Sequence, residues 1–417
     1  MRTLLEFPCS ALLAVCILLV VYAIYRYAGD SKVVRGLSNP KTACFLLAVG
    51  AIMLAVEGTF SWQLHTTPVF VAYVMILMLT LSFVVQKTLK ETKTRSFRYV
   101  GFLLNHLGLF VILWASLFGS PDVTKAKMMI LRGGTANVAY TEDMLAVPLP
   151  FDVTLEDFHV ELYNDGRSPK QFISSLLIDG TRMETSVNSP CSYEGYTIYQ
   201  DGYDAKNGRY SVIQLVRDPW LPMVYLGMGL LAVGSVLLLF GRWNAKFTVP
   251  IALGLTVVFT LVTIAKINMG TMMPALRSWW FVPHLFIYMV AYSLMAMAVV
   301  IKVVNFQRKT KTSKSDSKFH EVSTNLMRSA TALLIIGMLT GSIWAKEVWG
   351  DYWACDPKEN WAAVTWFVSL IYLHVGNKHS RKALSVMILA FVALQITWYG
   401  VNYLPSASVS LHSYYSK

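Results

Sequence analysis

The sequence has 417 residues, of which 55% are hydrophobic and only 14% are charged. One water-soluble core cannot bury so many apolar side chains, which excludes an ordinary soluble protein and indicates a membrane protein. The net charge of +12 does not point to nucleic acid, because the basic residues concentrate in short segments that alternate along the chain, as in membrane topology.

Hydrophobic runs close to the roughly 20 residues that cross a bilayer as a helix recur throughout the chain. They predict ten transmembrane helices, at 9–27, 41–57, 68–86, 100–118, 220–240, 247–266, 282–304, 327–345, 361–377 and 383–402. The first span is expected to be retained and not cleaved as a signal peptide, because Arg2 is offset by Glu6 and no small-residue cleavage site follows.

The Lys and Arg residues also predict the orientation of these helices. Under the positive-inside rule, the basic segments face the cytoplasm, and they lie at 28–41, 87–98, 242–246, 302–328 and 378–382. The outer side then holds both termini and the connections 119–218, 266–281, 344–361 and 403–417.

Residues 119–218 are more polar than the rest and alternate between apolar and polar side chains. The segment FDVTLEDFHVELY shifts its alternation by one residue before Phe158, which predicts a strand with a β-bulge. NDG at 164–166 predicts a turn into the strand FISSLLI, and YTIYQDGY and RYSVIQLV predict two further strands. We therefore expect a small β-rich domain that leans on the helices for stability.

The predicted fold class is an all-α polytopic membrane protein with one small β-rich extracytoplasmic domain. The segment QRKTKTSKSDSK is polar and basic, which predicts a flexible cytoplasmic linker. The predicted parts are membrane helices at 1–118, the β-rich domain at 119–218, further helices at 219–304, the linker at 305–326 and a C-terminal part at 327–417. His320 and His379 are predicted to be solvated surface residues.

Four of the eight histidines form two pairs by predicted depth. His106 and His374 lie inside spans, within roughly 5–10 Å of the inner boundary at a rise of about 1.5 Å per residue. An ionisable side chain there indicates function, and two at similar depth could share one metal centre. Hydrogen bonding to a neighbour or snorkelling towards headgroups is the alternative. His284, after SWWFVP, and His412, in VSLHSYY, form a second pair on the outer side.

The stretch WAKEVWGDYWACDPKENW at 344–361 contains four of the twelve tryptophans. Anchoring at the bilayer interface explains one or two rings per helix end, whereas a larger cluster indicates a surface for a flat ligand. The rings considered are Trp344, Trp349, Trp353, Trp361, Tyr352, Trp279 and Trp280. An aromatic platform beside paired histidines suits haem with two axial imidazoles. Zinc is disfavoured because no Cys or carboxylate recurs at ligand spacing.

The remaining polar residues leave several alternatives open. Asp356-Pro357-Lys358-Glu359 has the form of a helix capping box. Arg277, Lys346 and Lys358 could pair with haem propionates or simply snorkel. His65 and His159 are interpreted as structural or surface residues. The five cysteines contain no CxxC and no CxxCH, and for Cys191 and Cys355 two inert thiols are favoured over a disulfide.

Several segments resemble one protein family. GSIWAKEVWGDYWACDPKENWAAVTWFVSLIYLH is similar to the WWD segment of the haem-handling CcsA/ResC proteins, and VNYLPSASVSLHSYY is similar to their C-terminal histidine region. LEDFHVELYNDGRSPKQFISSLLIDG, VNSPCSYEGYTIYQDGYD and RDPWLPMVYLGMGLLAVGS resemble ResB proteins. The chain thus resembles a shortened ResB–CcsA fusion, the single-chain System II cytochrome c synthase. It departs from the family pattern at Cys355, where a tryptophan usually precedes the Asp-Pro.

The resemblance implies that haem b is both bound ligand and substrate. His106 and His374 would hold it within the membrane. His284 and His412 would ligate its iron at the outer catalytic site, where it joins CxxCH of an apocytochrome c. The remaining haem-binding residues implied are Trp344, Trp349, Trp353, Asp356 and Trp361.

The resemblance further implies a place in the bacterial inner membrane, surrounded by lipid, and a thiol-reducing partner protein. Two alternatives stay open on the residues alone. One is a di-haem b-type electron-transfer subunit, and the other is a non-haem transporter whose tryptophans line an outer cavity.

Overall fold

The structure is a computed structural model that describes residues 7–92, 96–204, 207–240, 257, 261, 271–307, 314–378 and 380–412. This part of the chain is mostly helical, with one β-sheet between the fifth and sixth helices. The helices are α1 (Cys9–Ala28), α2 (Lys32–Leu37), α3 (Pro40–Phe60), α4 (Pro68–Glu91), α5 (Phe97–Gly119), α6 (Leu221–Phe240), α7 (Phe281–Gln307), α8 (Lys314–Trp349), α9 (Pro357–His374) and α10 (Arg381–Trp398).

The local sequence explains where several helices begin. α3, α4 and α9 each start with proline directly after a polar N-cap residue, namely Asn39, Thr67 and Asp356. Proline lacks the N–H that would have no partner in the first turn, and the cap side chain accepts a hydrogen bond from another free N–H. The predicted capping box at Asp356 and Glu359 is confirmed, since both of its reciprocal bonds are present.

Eight of the described helices are long and apolar enough to cross a membrane, so the chain is a multi-pass membrane protein. They are α1, α3, α4, α5, α6, α7, α8 and α10. The prediction at 361–377 corresponds to α9, which is helical but falls outside this set because its first turn carries Lys358, Glu359 and Asn360. The span predicted at 247–266 lies outside the described residues.

Part of the segment predicted as a linker is helical. α7 extends to Gln307 and α8 begins at Lys314, so 314–326 continue as helix. The low hydropathy of this segment reflects a helix with one polar face, and its other face packs on α7. Leu326 is buried there, and the Ser323 hydroxyl donates a hydrogen bond to the carbonyl oxygen of Ala298.

Eight antiparallel strands form a single sheet between α5 and α6. They are β1 (Thr124–Leu131), β2 (Thr135–Tyr140), β3 (Ala146–Leu162), β4 (Pro169–Ile178), β5 (Thr181–Ser186), β6 (Cys191–Tyr193), β7 (Tyr196–Tyr203) and β8 (Tyr210–Arg217), in the order β5-β4-β3-β2-β1-β8-β7-β6. The register of β3 against β4 shifts between Leu155 and Asp157, which confirms the predicted bulge. Its alternating apolar residues, such as Phe151, Val153 and Leu155, are buried in the core of the sheet.

The sheet contacts the helical part through polar side chains, as expected for a domain of this size. Lys125 on β1 pairs with Asp351 in the connection between α8 and α9. The Gln214 side chain on β8 donates a 3.0 Å hydrogen bond to the carbonyl oxygen of Trp349. The sheet therefore supports the tryptophan-rich connection directly.

Glycines allow α5 and α6 to approach each other closely. A Cβ atom at Gly108 would lie 2.6 Å from the backbone nitrogen of Leu231, and one at Gly227 would lie 2.9 Å from the backbone nitrogen of Ile112. Because these neighbours are backbone atoms, the helices would have to move apart to admit a methyl group. This contact also fixes α5, the helix that carries His106.

We expect Gly108→Ala to lower the free energy of unfolding by about 1–3 kcal/mol, the usual cost of overpacking. The measurement is thermal unfolding of the purified protein in detergent. Gly229→Ala on α6 is the matched control, since nothing lies within 4 Å of its Cβ position and alanine is the better helix former. Equal stability of both variants would contradict the close packing.

Candidate functional site

The two predicted outer histidines lie against the same indole ring. The ring centroids of His284 and His412 are 5.8 Å and 6.0 Å from that of Trp344. The Trp349 ring lies 5.6 Å from Trp344 and 5.4 Å from His412. The fold therefore brings residues from α7, α8 and the C-terminal tail to one place.

His284 is oriented by α8. Its Nδ1 donates a 2.8 Å hydrogen bond to the carbonyl oxygen of Gly337. A Cβ atom at Gly341 would lie 2.6 Å from His284 Cε1, so a glycine is needed where the imidazole passes α8. A carbonyl oxygen only accepts hydrogen bonds, so Nδ1 carries the proton and the neutral ring keeps the lone pair on Nε2. That nitrogen is free to bind a metal.

His412 is oriented by Asp356. The Nδ1 of His412 lies 3.0 Å from Asp356 Oδ1, while Asp356 Oδ2 accepts hydrogen bonds from the Ser410 hydroxyl and the Leu411 backbone N–H at 2.9 Å and 2.7 Å. Burial alone would raise the pKa of Asp356, but these bonds, chiefly the one from His412, hold it below its usual value. The N-cap of α9 thus also anchors the tail.

The two predicted inner histidines are held in a similar way. His106 Nδ1 donates to the carbonyl oxygen of Phe102, and His374 Nδ1 donates to that of Leu370, each at 2.8 Å and one helical turn back. Both rings therefore present Nε2. They are close enough to interact electrostatically. Histidines that ligate a metal through one ring nitrogen typically hydrogen-bond a protein group through the other, and all four predicted residues have such a bond.

The structure separates the predicted tryptophans into those that contact the histidines and those that do not. In the described part of the chain, Trp344 and Trp349 have ring contacts with a histidine, and Trp353 and Trp361 have none. Trp361 instead packs at Gly58 on α3, and Trp353 contacts Cys355.

Two of the predicted outer rings lie near the start of α7. The indole nitrogen of Trp280 donates a 2.9 Å hydrogen bond to Glu347, whereas the Trp279 side chain is 94% exposed. Trp344 is fixed by its own indole N–H, which donates to the carbonyl oxygen of Ala275 at 2.9 Å. These bonds join the start of α7 to the end of α8.

The three outer basic residues have different surroundings. Lys346 donates a 2.9 Å hydrogen bond to the carbonyl oxygen of Gly350, and Arg277 donates a 3.2 Å bond to that of Lys170. The Lys358 ammonium lies close enough to His284 to act on it electrostatically.

The prediction that His320 is solvated is wrong. Its side chain is buried, and the Lys302 ammonium donates a 2.9 Å hydrogen bond to its Nδ1. The sequence reasoning placed His320 in a loop, whereas the early start of α8 places it on a helix packed against α7. His379 lies outside the described residues.

All five cysteines are free, so the expectation of separate thiols at Cys191 and Cys355 is confirmed. Burial and the nearby carboxyl groups of Glu57 and Glu359 raise the pKa of the Cys355 thiol to about 12. A protonated thiol is a poor nucleophile. Cys355 is thus suited to a contact role and not to covalent catalysis.

Both parts of the chain match known protein families. Residues 220–408 match the family described as Cytochrome C assembly protein, and residues 92–210 match the ResB-like family. The chain thus joins a ResB-like segment to a segment similar to cytochrome c assembly proteins. Within the fusion, His106 lies in the ResB-like match, His284 and His374 lie in the assembly match, and His412 follows just after it.

The fusion is similar to several proteins named cytochrome c biogenesis protein CcsA. That of Chlamydomonas reinhardtii is 32% identical over 34% of this chain and 42% of its own length. Those of Cuscuta exaltata and Amborella trichopoda are 30% and 29% identical, each over 34% of this chain, and over 56% and 58% of their own lengths. The chain thus spans about half the length of the curated relatives it matches.

Proposed function

We propose that this fusion holds haem and attaches it covalently to the CxxCH segment of apocytochromes c on the outer side of a bacterial inner membrane. The observation that carries this proposal is the placement of His284 and His412 against Trp344, each with Nδ1 anchored and Nε2 free. The family match to cytochrome c assembly proteins supports the same conclusion.

The residues present fit haem as a substrate. Axial ligation of its iron needs imidazole nitrogens with available lone pairs, and the hydrogen bond at the opposite ring nitrogen makes each imidazole a better donor. Trp344 and Trp349 supply aromatic surface for the porphyrin, and Lys358 supplies a cation for a propionate. His106 and His374 repeat the donor arrangement within the membrane, as a holding site on the way to the outer one.

Thioether formation adds each CxxCH thiol across a vinyl group of the substrate. The sulfur forms a bond to one vinyl carbon and the thiol hydrogen goes to the other, so the addition itself needs no oxidant. The contribution of this chain is to position the reactants. His284 and His412 would hold the iron until the histidine of CxxCH replaces one of them. A separate thiol-reducing partner would keep the CxxCH cysteines reduced, since this chain has no CxxC of its own.

The proposed orientation follows the alternation of basic segments. Ten membrane helices with cytoplasmic basic loops would place the β-sheet, the tryptophan-rich connection and the tail on the outer side. The sheet and the connection are in contact through Lys125 and Asp351, so they must share one side of the membrane. An apocytochrome would then meet the chain after export.

The test is to express the chain with a reporter apocytochrome in a bacterial strain that lacks its own maturation system, and to stain denaturing gels for haem. We expect a stained reporter only when it carries both an export signal and CxxCH. Haem bound to the purified chain beside an unstained reporter would instead favour the di-haem electron-transfer alternative. A chain without haem absorbance would overturn both haem proposals.

A further inference from the structure

A second group of metal-binding side chains lies outside the two histidine pairs. Glu57 at the end of α3, His65 in the connection to α4, and Cys355 before α9 place one ligand atom each within 4.8 Å of one another. His65 Nδ1 already contacts Glu57 Oε1. The nitrogen, oxygen and sulfur donors thus come from two distant parts of the chain.

The Glu57 carboxylate gives an independent indication of an absent ligand. Glu57 is only 4% exposed, and its Oε2 is buried without a hydrogen-bond partner. A buried carboxylate oxygen without a partner is costly, so such atoms in folded proteins call for an ion or another bound group. A cavity of about 170 Å³ opens beside it, lined among others by all three side chains.

We propose that Glu57, His65 and Cys355 bind a zinc ion, with water in the fourth position. Zinc accepts sulfur, imidazole and carboxylate ligands and keeps one open position in sites with three protein ligands. Its ordinary bond lengths place tetrahedral ligand atoms about 3.3–3.7 Å apart. The ligand atoms lie within 4.8 Å of one another, so the widest pair has to close by up to about 1 Å, whereas the Glu57–His65 contact has to open. The carboxylate and the thiolate together balance the 2+ charge.

Zinc binding displaces one proton and one side-chain contact. The thiol proton of Cys355 passes to solvent as the Zn–S bond forms. The Glu57–His65 contact is replaced by Zn–O and Zn–N bonds, the proton of that contact stays on the His65 ring nitrogen that does not bind zinc, and no electron is transferred. Zinc would enter the cavity past His65, because 39% of the His65 side chain is exposed while Glu57 is buried. The zinc would tie the connection between α3 and α4 to the connection before α9.

The sequence pattern disfavours zinc because no cysteine or carboxylate recurs at ligand spacing. That argument applies to sites built from one short segment. Here Cys355 is separated from Glu57 and His65 by most of the chain, and only packing of α9 on α3 brings them together. Cys355, which stands where the family pattern has tryptophan, would thus be a metal ligand in this chain.

The experiment uses the full chain, purified in detergent through an affinity tag without histidine and stripped of metal with a chelator. Zinc chloride is added in excess, loosely bound metal is removed by dialysis, and zinc per chain is measured by mass spectrometry. We expect about one zinc ion per wild-type chain. Cys355→Ala and Glu57→Gln are expected to reduce the bound zinc at least tenfold, in line with the loss of one ligand.

Cys191→Ala and His159→Asn are the matched controls, since they remove a thiol and an imidazole elsewhere in the outer part and should retain the zinc. Size-exclusion elution and haem content show whether each variant is folded. Zinc retention by Cys355→Ala, or wild-type protein without zinc, would overturn the proposal. Glu57→Gln preserves the size of the side chain and keeps the test valid if the cysteine variant fails to fold. The result is independent of haem attachment.

Discussion

Replacement of His284 or His412 by alanine is expected to reduce haem attachment to the reporter apocytochrome by more than about 100-fold, since even the loss of a group that hydrogen-bonds a metal ligand costs up to about that much. Each variant removes one of the two imidazoles that flank Trp344, so the iron would lose an axial ligand. The measurement is haem stain on the reporter, normalised to the amount of the expressed chain, together with visible spectra of the purified chain.

His159→Ala is the matched control for this prediction, because His159 lies on β3, where it pairs with Ile173 of β4. It should support normal attachment. If added imidazole restores attachment in the alanine variants, the lost function is ligation and not folding. Unchanged spectra and full attachment in both His284→Ala and His412→Ala would contradict the assignment of the outer ligands.

The tryptophan-rich connection at 344–361 is held by the β-sheet as well as by the helices. Gln214 bonds the backbone of Trp349, and Lys125 pairs with Asp351 in the same connection. A Cβ at Gly350 would lie 2.7 Å from the Gln214 side chain. The sheet thus fixes the backbone that carries one of the two rings at the histidines. This contact gives a physical reason for joining the two families in one chain.

Local patterns predicted much of the fold. Hydrophobic runs located most membrane helices, alternation located the strands and the bulge before Phe158, and the residues at 356–359 predicted the start of α9. Each of these features depends on residues that are close in the sequence. Low hydropathy gave a wrong prediction of a flexible linker where a helix keeps a polar face, as in α8 near His320.

The sequence could not predict contacts that depend on packing between distant elements. Depth in the membrane paired His284 with His412, but it gave no hint of the Gly337 carbonyl or of the space at Gly341 that orient the His284 ring. The pattern at Asp356 predicted a helix cap and not an anchor for the tail. These features follow from how α7, α8 and the tail meet, which no short segment encodes.

Asp356→Asn is expected to lower haem attachment roughly 10–100-fold, the usual effect of losing the group that hydrogen-bonds a metal-ligating histidine. Asparagine caps helices about as well as aspartate, so α9 should still form. The C-terminal tail that carries His412 should nevertheless detach. Four groups donate hydrogen bonds to the Asp356 oxygens, and in the variant one of those oxygens is replaced by an amide NH₂ that cannot accept them. These donors are the backbone N–H groups of Lys358 and Leu411, the Ser410 hydroxyl and His412 Nδ1.

Glu359→Gln is the control for this substitution, since glutamine keeps the oxygen that accepts the Asp356 backbone N–H in the capping box. It should leave attachment close to the wild-type level. Stain on the reporter and the axial-ligand spectrum are measured for both variants at equal amounts of protein. Full attachment in Asp356→Asn would mean that His412 reaches the iron without its carboxylate anchor, whereas equal losses in both variants would trace the effect to the helix cap.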